Sequence, residues 1–250
     1  MRLYTLGCTG WIPSQNETCC FLVEHKGHLI MLDAGTGVSN IGHFKDVLDR
    51  YQTLHIILTH YHLDHIIGLS YLLPYISNKK IVIFGPGIPA YHKSTEELLN
   101  DFLKPEFFSR PLGKLAQEVS CFDYGEVSSF NIGEIKVSLT KQKHSSPSFS
   151  VMLDNDLLYV TDTVFDKIRW EECPEIKLLL HECWQLSDDD AQQKHCSLEA
   201  ILNYLPLNKF GRVLLIHQNP LWSEKDVNTI HELTKNTNIA MAKDLRVYDI

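Results

Sequence analysis

The sequence has no long apolar run. None of its 250 residues fall in a window that reaches the roughly 18 uninterrupted apolar residues of a membrane span. The start, MRLYTLGCTGWIPSQ, also lacks the apolar stretch of a signal peptide. We therefore expect a cytoplasmic protein with no membrane partner.

Paired cysteine motifs and excess positive charge are also missing. The seven cysteines are odd in number and include no C-x-x-C spacing, which excludes a disulfide framework and a cysteine zinc knuckle. Acidic residues outnumber basic ones, 31 to 23, for a net charge of −8. This balance counts against broad binding of nucleic-acid backbones.

What the sequence does contain is an ordinary globular pattern, 44% hydrophobic, without linkers or repeats. Short β-rich runs predict strands at 21–24, 28–35, 54–60, 80–86, 135–140, 150–153, 157–163, 177–182 and 212–218. Helical patterns lie between several of them, at 40–50, 63–73, 94–103, 197–205 and 223–235. We therefore predict an α/β sandwich with mixed sheets, in a single domain over residues 1–250.

Histidine is abundant, with 13 residues, and the strongest cluster is Thr59-His60-Tyr61-His62-Leu63-Asp64-His65. It directly follows the apolar strand LHIIL, where uncompensated polar groups would cost several kcal/mol, about 2–7 each. A tight turn can direct such side chains at two adjacent metal ions. We predict that His60 and His62 hold the first ion, and Asp64 and His65 the second.

This H-x-H-x-D-H pattern resembles the metallo-β-lactamase superfamily, and later residues match its remaining ligands. The resemblance implies an αββα sandwich of two mixed β-sheets flanked by helices. It also implies that His144 completes the first metal site, that Asp162 bridges the two ions, and that His217 completes the second site. In LDAGTG, Asp33 matches the residue that orients the metal-bound histidines, with an Asx turn before Gly35 as the alternative.

The ligand set suggests zinc. Because His62 stands where a glutamate would be expected, the di-iron oxygen-reducing branch is disfavoured. Nitrogen-rich sites with a bridging oxygen suit two Zn²⁺ ions per chain, with Mn²⁺ or Fe²⁺ as alternatives.

Two further segments, His181-Glu182-Cys183 and His195-Cys196-Ser197, resemble motifs of the ribonuclease Z-like phosphodiesterase branch. By that resemblance His195 is the general acid that protonates the leaving oxygen, and Glu182 orients it. The implied nucleophile is a hydroxide shared by the two metals, and Asp64 would hydrogen-bond it as well as bind metal. The opening LGCTGWIP resembles the first strand and loop of the same branch.

The substrate is less well specified. Members of this branch that trim transfer RNA carry a basic arm between the third histidine and the bridging aspartate, but here only 18 positions separate His144 from Asp162. We therefore expect a small phosphodiester substrate, such as a cyclic nucleotide or cyclic ribose phosphate. RNA 3′-processing, hydrolysis of an ester, thioester or lactone, and a non-catalytic metal-binding sensor are the alternatives.

Two points stay open at this stage. The resemblance favours a homodimer, since members of this branch are commonly dimers. Residues 86–131 could form a lid, a dimer surface or core, and core packing is the default expectation for Phe102, Phe107 and Phe108.

Overall fold

A computed structural model describes residues 1–125, 129–188 and 194–250. The strands in these ranges are β1 Arg2–Gly7, β2 Cys20–His25, β3 His28–Leu32, β4 Thr53–Ile57, β5 Lys80–Pro86, β6 Glu118–Tyr124, β7 Ser129–Ile132, β8 Ile135–Gln142, β9 Ser148–Leu153, β10 Leu157–Val160, β11 Ile176–Glu182, β12 Phe210–Ile216, β13 Ile239–Met241 and β14 Arg246–Asp249. The helices are α1 Lys45–Asp49, α2 Leu63–Ile66, α3 Leu73–Ile76, α4 Ile88–Tyr91, α5 Thr95–Phe102, α6 Lys167–Glu171, α7 Leu198–Tyr204 and α8 Glu224–Thr234. Shorter 3₁₀ segments lie at Thr36–Phe44, Ile67–Tyr71, Leu112–Lys114 and Leu207–Lys209.

The strands form two seven-stranded mixed sheets. The first has the order β14-β1-β2-β3-β4-β5-β6, and the second β13-β12-β11-β10-β9-β8-β7. Each sheet is antiparallel on one side and parallel on the other, with β3 to β6 parallel in the first and β10 to β13 parallel in the second. The inner parallel strands are covered on both faces, which explains their nearly continuous apolar runs.

Three clusters of buried side chains define four layers. One cluster, which includes Phe21, Val151 and Tyr159, fills the space between the inner faces of the two sheets. A second lies between the first sheet and its outer helices, and a third lies between the second sheet and α6 to α8. The predicted αββα sandwich is thus confirmed.

The helix predictions are correct where a cap marks the start. Ser94 accepts a hydrogen bond from the Glu97 N–H at the start of α5, and Ser223 does the same for Asp226 in α8. Ser197 caps α7 similarly.

The single helices predicted over 40–50 and 63–73 are wrong, because both regions are broken into short α and 3₁₀ pieces. In the second region a Cβ on Gly68 would lie 2.0 Å from the Gly35 carbonyl oxygen. The Gly68 N–H donates to the Ala34 carbonyl at 2.8 Å and not within a helix, so this contact interrupts the regular helical hydrogen bonds. Pro74, in the first turn of α3, has no N–H to donate.

Within the range 86–131, residues 126–128 lie outside the described residues, and the others include α4, α5 and the edge strand β6. The sequence pattern predicted α5 but not α4 or β6, and it also missed β7, β13 and β14. Phe102 and Phe108 pack against the outer core of the first sheet, as expected. Core packing was wrong for Phe107, whose side chain is 73% exposed.

Among the residues that the structure places, no helix is long and apolar enough to cross a bilayer.

Asp244 fastens the loop after β1 to the end of the chain. Its Oδ2 accepts a hydrogen bond from the Glu17 backbone N–H at 2.7 Å, and Asn40 Nδ2 lies 3.4 Å away. Burial raises the pKa of Asp244 to about 6. Because the folded protein holds this proton more tightly than the unfolded chain, ionisation of Asp244 costs stability as the pH rises from about 4 to 6.

We expect the variant Asp244→Asn to be more stable than the parent by about 1 kcal/mol at pH 7.5, since it removes a half-buried charge. The difference should shrink as the pH falls and approach zero below about pH 3, where Asp244 is protonated in both states. Urea unfolding across this pH range measures it. A stability difference that does not change with pH would show that hydrogen-bond geometry, and not ionisation, controls this position.

Candidate metal centre

The predicted site residues come together where strands of both sheets end. Asp33 directly follows β3, and His60 to His65 occupy the loop after β4 and the start of α2. His144 and Asp162 lie two residues after the ends of β8 and β10, and His217 directly follows β12. Rigid strands thus direct the side chains of all these loops at one edge of the sandwich.

Asp162 lies at the centre, with one carboxylate oxygen toward each histidine group. Its Oδ2 is 3.6 Å from His60 Nε2 and 3.3 Å from His144 Nε2. Its Oδ1 is 3.1 Å from both His65 Nε2 and His217 Nε2. This arrangement can bridge two cations.

The two remaining predicted ligands complete these groups. His62 Nδ1 lies 3.3 Å from His144 Nε2, and Asp64 Oδ2 lies 3.3 Å from both His65 Nε2 and His217 Nε2. The structure therefore contains two clusters of potential ligand atoms, one of His60, His62, His144 and Asp162, and one of Asp64, His65 and His217.

Three of the site residues have unusual backbone conformations. Asp33, Asp162 and His217 have φ angles of 52°, 48° and 47°, in the left-handed region. Each such conformation lowers the stability of the fold by about 1–3 kcal/mol and persists only where the surrounding structure holds it in place. Here the positive φ turns the chain sharply at the strand end, so that each side chain points into the site.

Asp33 organises two of the histidines by hydrogen bonds. Its Oδ2 accepts hydrogen bonds from His65 Nδ1 at 2.7 Å, Thr59 Oγ1 at 2.8 Å and Tyr159 Oη at 2.7 Å, and its Oδ1 accepts one from the Thr59 N–H at 2.7 Å. Because the Thr59 hydroxyl proton goes to Asp33, Thr59 Oγ1 is left to accept from His60 Nδ1 at 3.0 Å. This network places a proton on Nδ1 of both imidazoles, so that Nε2 of each is the atom available to a metal ion beside Asp162. Asp33 therefore orients His65 directly and His60 through Thr59, which the alternative role as an Asx-turn residue does not explain.

The donor set fits divalent cations. His60 Nε2 and His65 Nε2 are buried and have no hydrogen-bond partner within residues 1–125, 129–188 and 194–250. Imidazole nitrogens left this way are costly unless something binds them. Nitrogen and carboxylate donors of this kind suit zinc.

The electrostatics agree with this interpretation. Burial opposes ionisation of Asp162, but His217, His65 and His60 outweigh it and hold its pKa well below the ordinary value. Burial likewise opposes a charge on His65, yet Asp64, Asp162 and Asp33 raise its pKa well above the ordinary value. The buried carboxylates thus attract positive charge into the site.

His144 and His62 are held in the neutral form that binds metals. Burial lowers the pKa of His144 to about 4 and also lowers the pKa of His62. The Nε2 of His62 lies 3.1 Å from Ser146 Oγ; with its proton donated there, Nδ1 faces His144 as an acceptor.

The predicted acid and its partner adjoin the second cluster. Glu182 is fully buried at the end of β11, and its Oε2 accepts a hydrogen bond from His195 Nδ1 at 2.9 Å. Its Oε1 accepts from the Thr163 N–H. The His195 ring stacks on His217 with centroids 5.3 Å apart, so this imidazole is fixed beside the metal ligands Asp162 and His217.

These groups open onto one cavity of about 200 Å³. Several of its walls were not expected from the sequence: Trp11, Ser145, Trp184 and Lys194. Trp184 packs against His195 with ring centroids 5.0 Å apart. Tyr61 and Leu63, which stand between the ligands of the motif, do not line this cavity: Tyr61 donates a hydrogen bond to Thr95, and Leu63 is exposed to solvent.

Sequence reasoning also missed the residues that hold Asp33. Thr59 stands in the motif but carries no ligand signal of its own. Tyr159 lies 126 positions from Asp33 in the chain, so only the packing of the two sheets reveals the contact.

Comparison with known proteins places this geometry in a family. The profile of the family described as "Anti-Pycsar protein Apyc1" matches residues 1–241. A protein of that name from Bacillus phage BSP38 is 28% identical over 212 residues, which cover 77% of this chain and 78% of the phage protein. Ribonuclease Z from Metallosphaera sedula is 26% identical over 158 residues, which cover 62% of this chain and 48% of that enzyme. The chain spans about half the length, or less, of the curated ribonuclease Z relatives that it matches most strongly.

A solved structure supports the fold independently. The metallo-beta-lactamase fold protein YhfI from Bacillus subtilis superposes with a TM-score of 0.76 at 16% identity, and the match covers 99% of this chain and 98% of that one. The homologues are hydrolases of the metallo-β-lactamase superfamily. The chain itself belongs to the anti-Pycsar protein Apyc1 family, a ribonuclease Z-like group within that superfamily.

Proposed function

We propose that the protein is a zinc-dependent phosphodiesterase that hydrolyses a small substrate, a cyclic nucleotide or a cyclic ribose phosphate. The observation that carries this proposal is that His195, hydrogen-bonded to Glu182, faces the same cavity as both clusters of ligand atoms. Such a pair is useful where an oxygen leaving group needs a proton. Thioester hydrolysis does not call for it, because a thiolate leaves readily as an anion.

The chain's residues can be given roles on this basis. His60, His62 and His144 would hold one zinc ion, Asp64, His65 and His217 the other, and Asp162 would bridge them. When bound, the two ions supply Lewis-acid stabilisation of the phosphate charge and make water acidic enough to act as the nucleophile near neutral pH.

Proton transfer falls to His195. Its Nδ1–H is held by Glu182, so Nε2 carries the proton that goes to the ester oxygen as the P–O bond breaks. The buried Glu182 carboxylate stabilises the imidazolium before transfer and keeps the ring in place. Asp64 would accept a hydrogen bond from the attacking water, and the Trp11 N–H donates to its Oδ2 at 2.8 Å.

Transfer-RNA processing receives less support. The chain between His144 and Asp162 contains β9 and β10, with no inserted arm. The net charge of −8 also disfavours a long polyanion, whereas a small phosphodiester is bound chiefly by the local field of the site. A single domain over residues 1–250, a homodimer and a cytoplasmic location stay predictions.

The first test concerns the acid. We expect His195→Ala to lower kcat for a cyclic nucleotide by about 100- to 10,000-fold, because the departing ribose oxygen then leaves without a proton. The loss should be much smaller with bis-p-nitrophenyl phosphate, since p-nitrophenolate leaves readily as an anion. His231→Ala, an exposed change on α8, is the control.

Two results would contradict this role. An equal loss on both substrates would mean that His195 is not the proton donor. A fall in zinc content would instead make His195 a metal ligand, a possibility raised by its position near Asp162 and His217.

The second test concerns the metals. We expect two zinc ions per chain, and a 10- to 100-fold weaker zinc affinity, as an order of magnitude, in Thr59→Val, which breaks the hydroxyl link from Asp33 to His60. Thr59→Ser keeps the hydroxyl and should bind zinc nearly as the parent does. Competition with a chromophoric chelator measures the affinity without any assay of activity. One ion or fewer per fully loaded chain would rule out the two-metal site.

A further inference from the structure

Trp11 is a large apolar side chain that stays exposed beside a polar cavity. It lines the cavity that contains His62, Asp64 and His195, yet 57% of its surface is open to solvent. A single exposed apolar side chain is common on protein surfaces, but this one is distinguished by lining the cavity onto which the ligand clusters open.

The backbone at Trp11 is strained. The Ile12 N–H donates to the Gly10 carbonyl at 2.8 Å, which closes a three-residue turn with Trp11 at its centre and a φ of 62°. Turns of this type with a positive central φ are rare, and for a bulky residue the conformation is a clear outlier. Strain of this sort concentrates at ligand-binding sites.

The same turn is tied to the cluster of Asp64, His65 and His217, so the backbone position of Trp11 is fixed. The Trp11 N–H donates to Asp64 Oδ2 at 2.8 Å, and the Gly10 N–H donates to the Gln218 carbonyl at 3.0 Å. A Cβ on Gly10 would lie 2.4 to 2.5 Å from the His217 ring, so this position requires glycine and the turn lies flat against that imidazole. The indole is therefore held at the rim by contacts that do not involve its ring.

The volume of the cavity indicates which part of a substrate would lie beside Trp11. The cavity of about 200 Å³ is smaller than the pockets of about 300–1,000 Å³ that enclose whole drug-sized ligands. A phosphodiester placed at the ligand cluster would therefore occupy the cavity, and the rest of a nucleotide would extend past its edge. The other tryptophan of the cavity, Trp184, is less free to contact a substrate, because its ring already packs against His195 and His217.

We propose that Trp11 is a specificity-determining residue that stacks against the base of a nucleotide substrate. The inference rests on the proposed phosphodiesterase function and adds to it a residue that binds the part of the substrate lying outside the metal centre. A flat heterocycle stacks on an indole whatever its hydrogen-bonding edge, so Trp11 favours bases in general over any one base.

Steady-state kinetics of Trp11→Ala and Trp11→Phe test this. The substrates are adenosine 3′,5′-cyclic monophosphate and 1-O-methyl ribose 3′,5′-cyclic phosphate, which lacks the base. We expect Trp11→Ala to raise KM for the nucleotide roughly 5- to 150-fold with little change in kcat, and to leave KM for the base-free compound unchanged. Trp11→Phe should be intermediate, and Leu233→Ala, which removes an equally exposed side chain on α8, should have no effect.

Other results would overturn the inference. An equal rise in KM for both substrates, or a loss of zinc content, would mean that Trp11 acts through Asp64 and not through the base. A change in oligomeric state by light scattering, with equal effects on both substrates, would assign Trp11 to an interface between copies of the chain.

Failure of the proposed function is separately visible, because the parent protein would then hydrolyse neither compound. Calorimetric binding of the same two compounds to the parent and to Trp11→Ala would then decide the role of Trp11. Equal affinities of the two proteins for the nucleotide would reject it.

Discussion

The hydrogen bonds to the Asp33 carboxylate are the interaction on which the site depends. Asp33 extends from the first sheet, whereas Tyr159, which donates to it, extends from β10 of the second. Thr59 and His65 reach the same carboxylate from the loop after β4 and from α2. The orientation of the histidines therefore depends on the packing of the two sheets, and any change in the distance between the sheets would alter the ligand geometry.

This arrangement is costly in isolation. A buried carboxylate, several buried imidazoles and three residues with positive φ would each destabilise an ordinary core. The apolar clusters on both sides of each sheet supply the compensating stability, since nearly every inward-facing residue of the parallel strands is buried. A bound cation would relieve part of the remaining cost by occupying the nitrogens that now lack partners.

The sequence predicted those parts of the fold and the site whose residues form local patterns along the chain, and it missed those that depend on tertiary contacts. The ligands from His60 to His65 lie within one turn, and Asp162 and His217 each end an apolar run, so pattern and resemblance were enough. Tyr159 and Trp11 could not be found this way, because their roles come from a contact between sheets and from a three-residue turn. The helix predicted over 63–73 failed for a similar reason: the approach of Gly68 to Gly35 is a tertiary constraint that local periodicity does not record.

The polar and apolar parts of the site are also mechanically linked. One turn, Gly10 to Ile12, presents the Trp11 indole, donates an N–H to Asp64 and packs against His217. Residues that share partners in this way do not act independently, so the effects of substitutions in the turn and at the metal ligands should not be additive. Substrate selectivity and metal binding in this chain would then be constrained together, because moving the indole would also move a carboxylate and an imidazole of the metal centre.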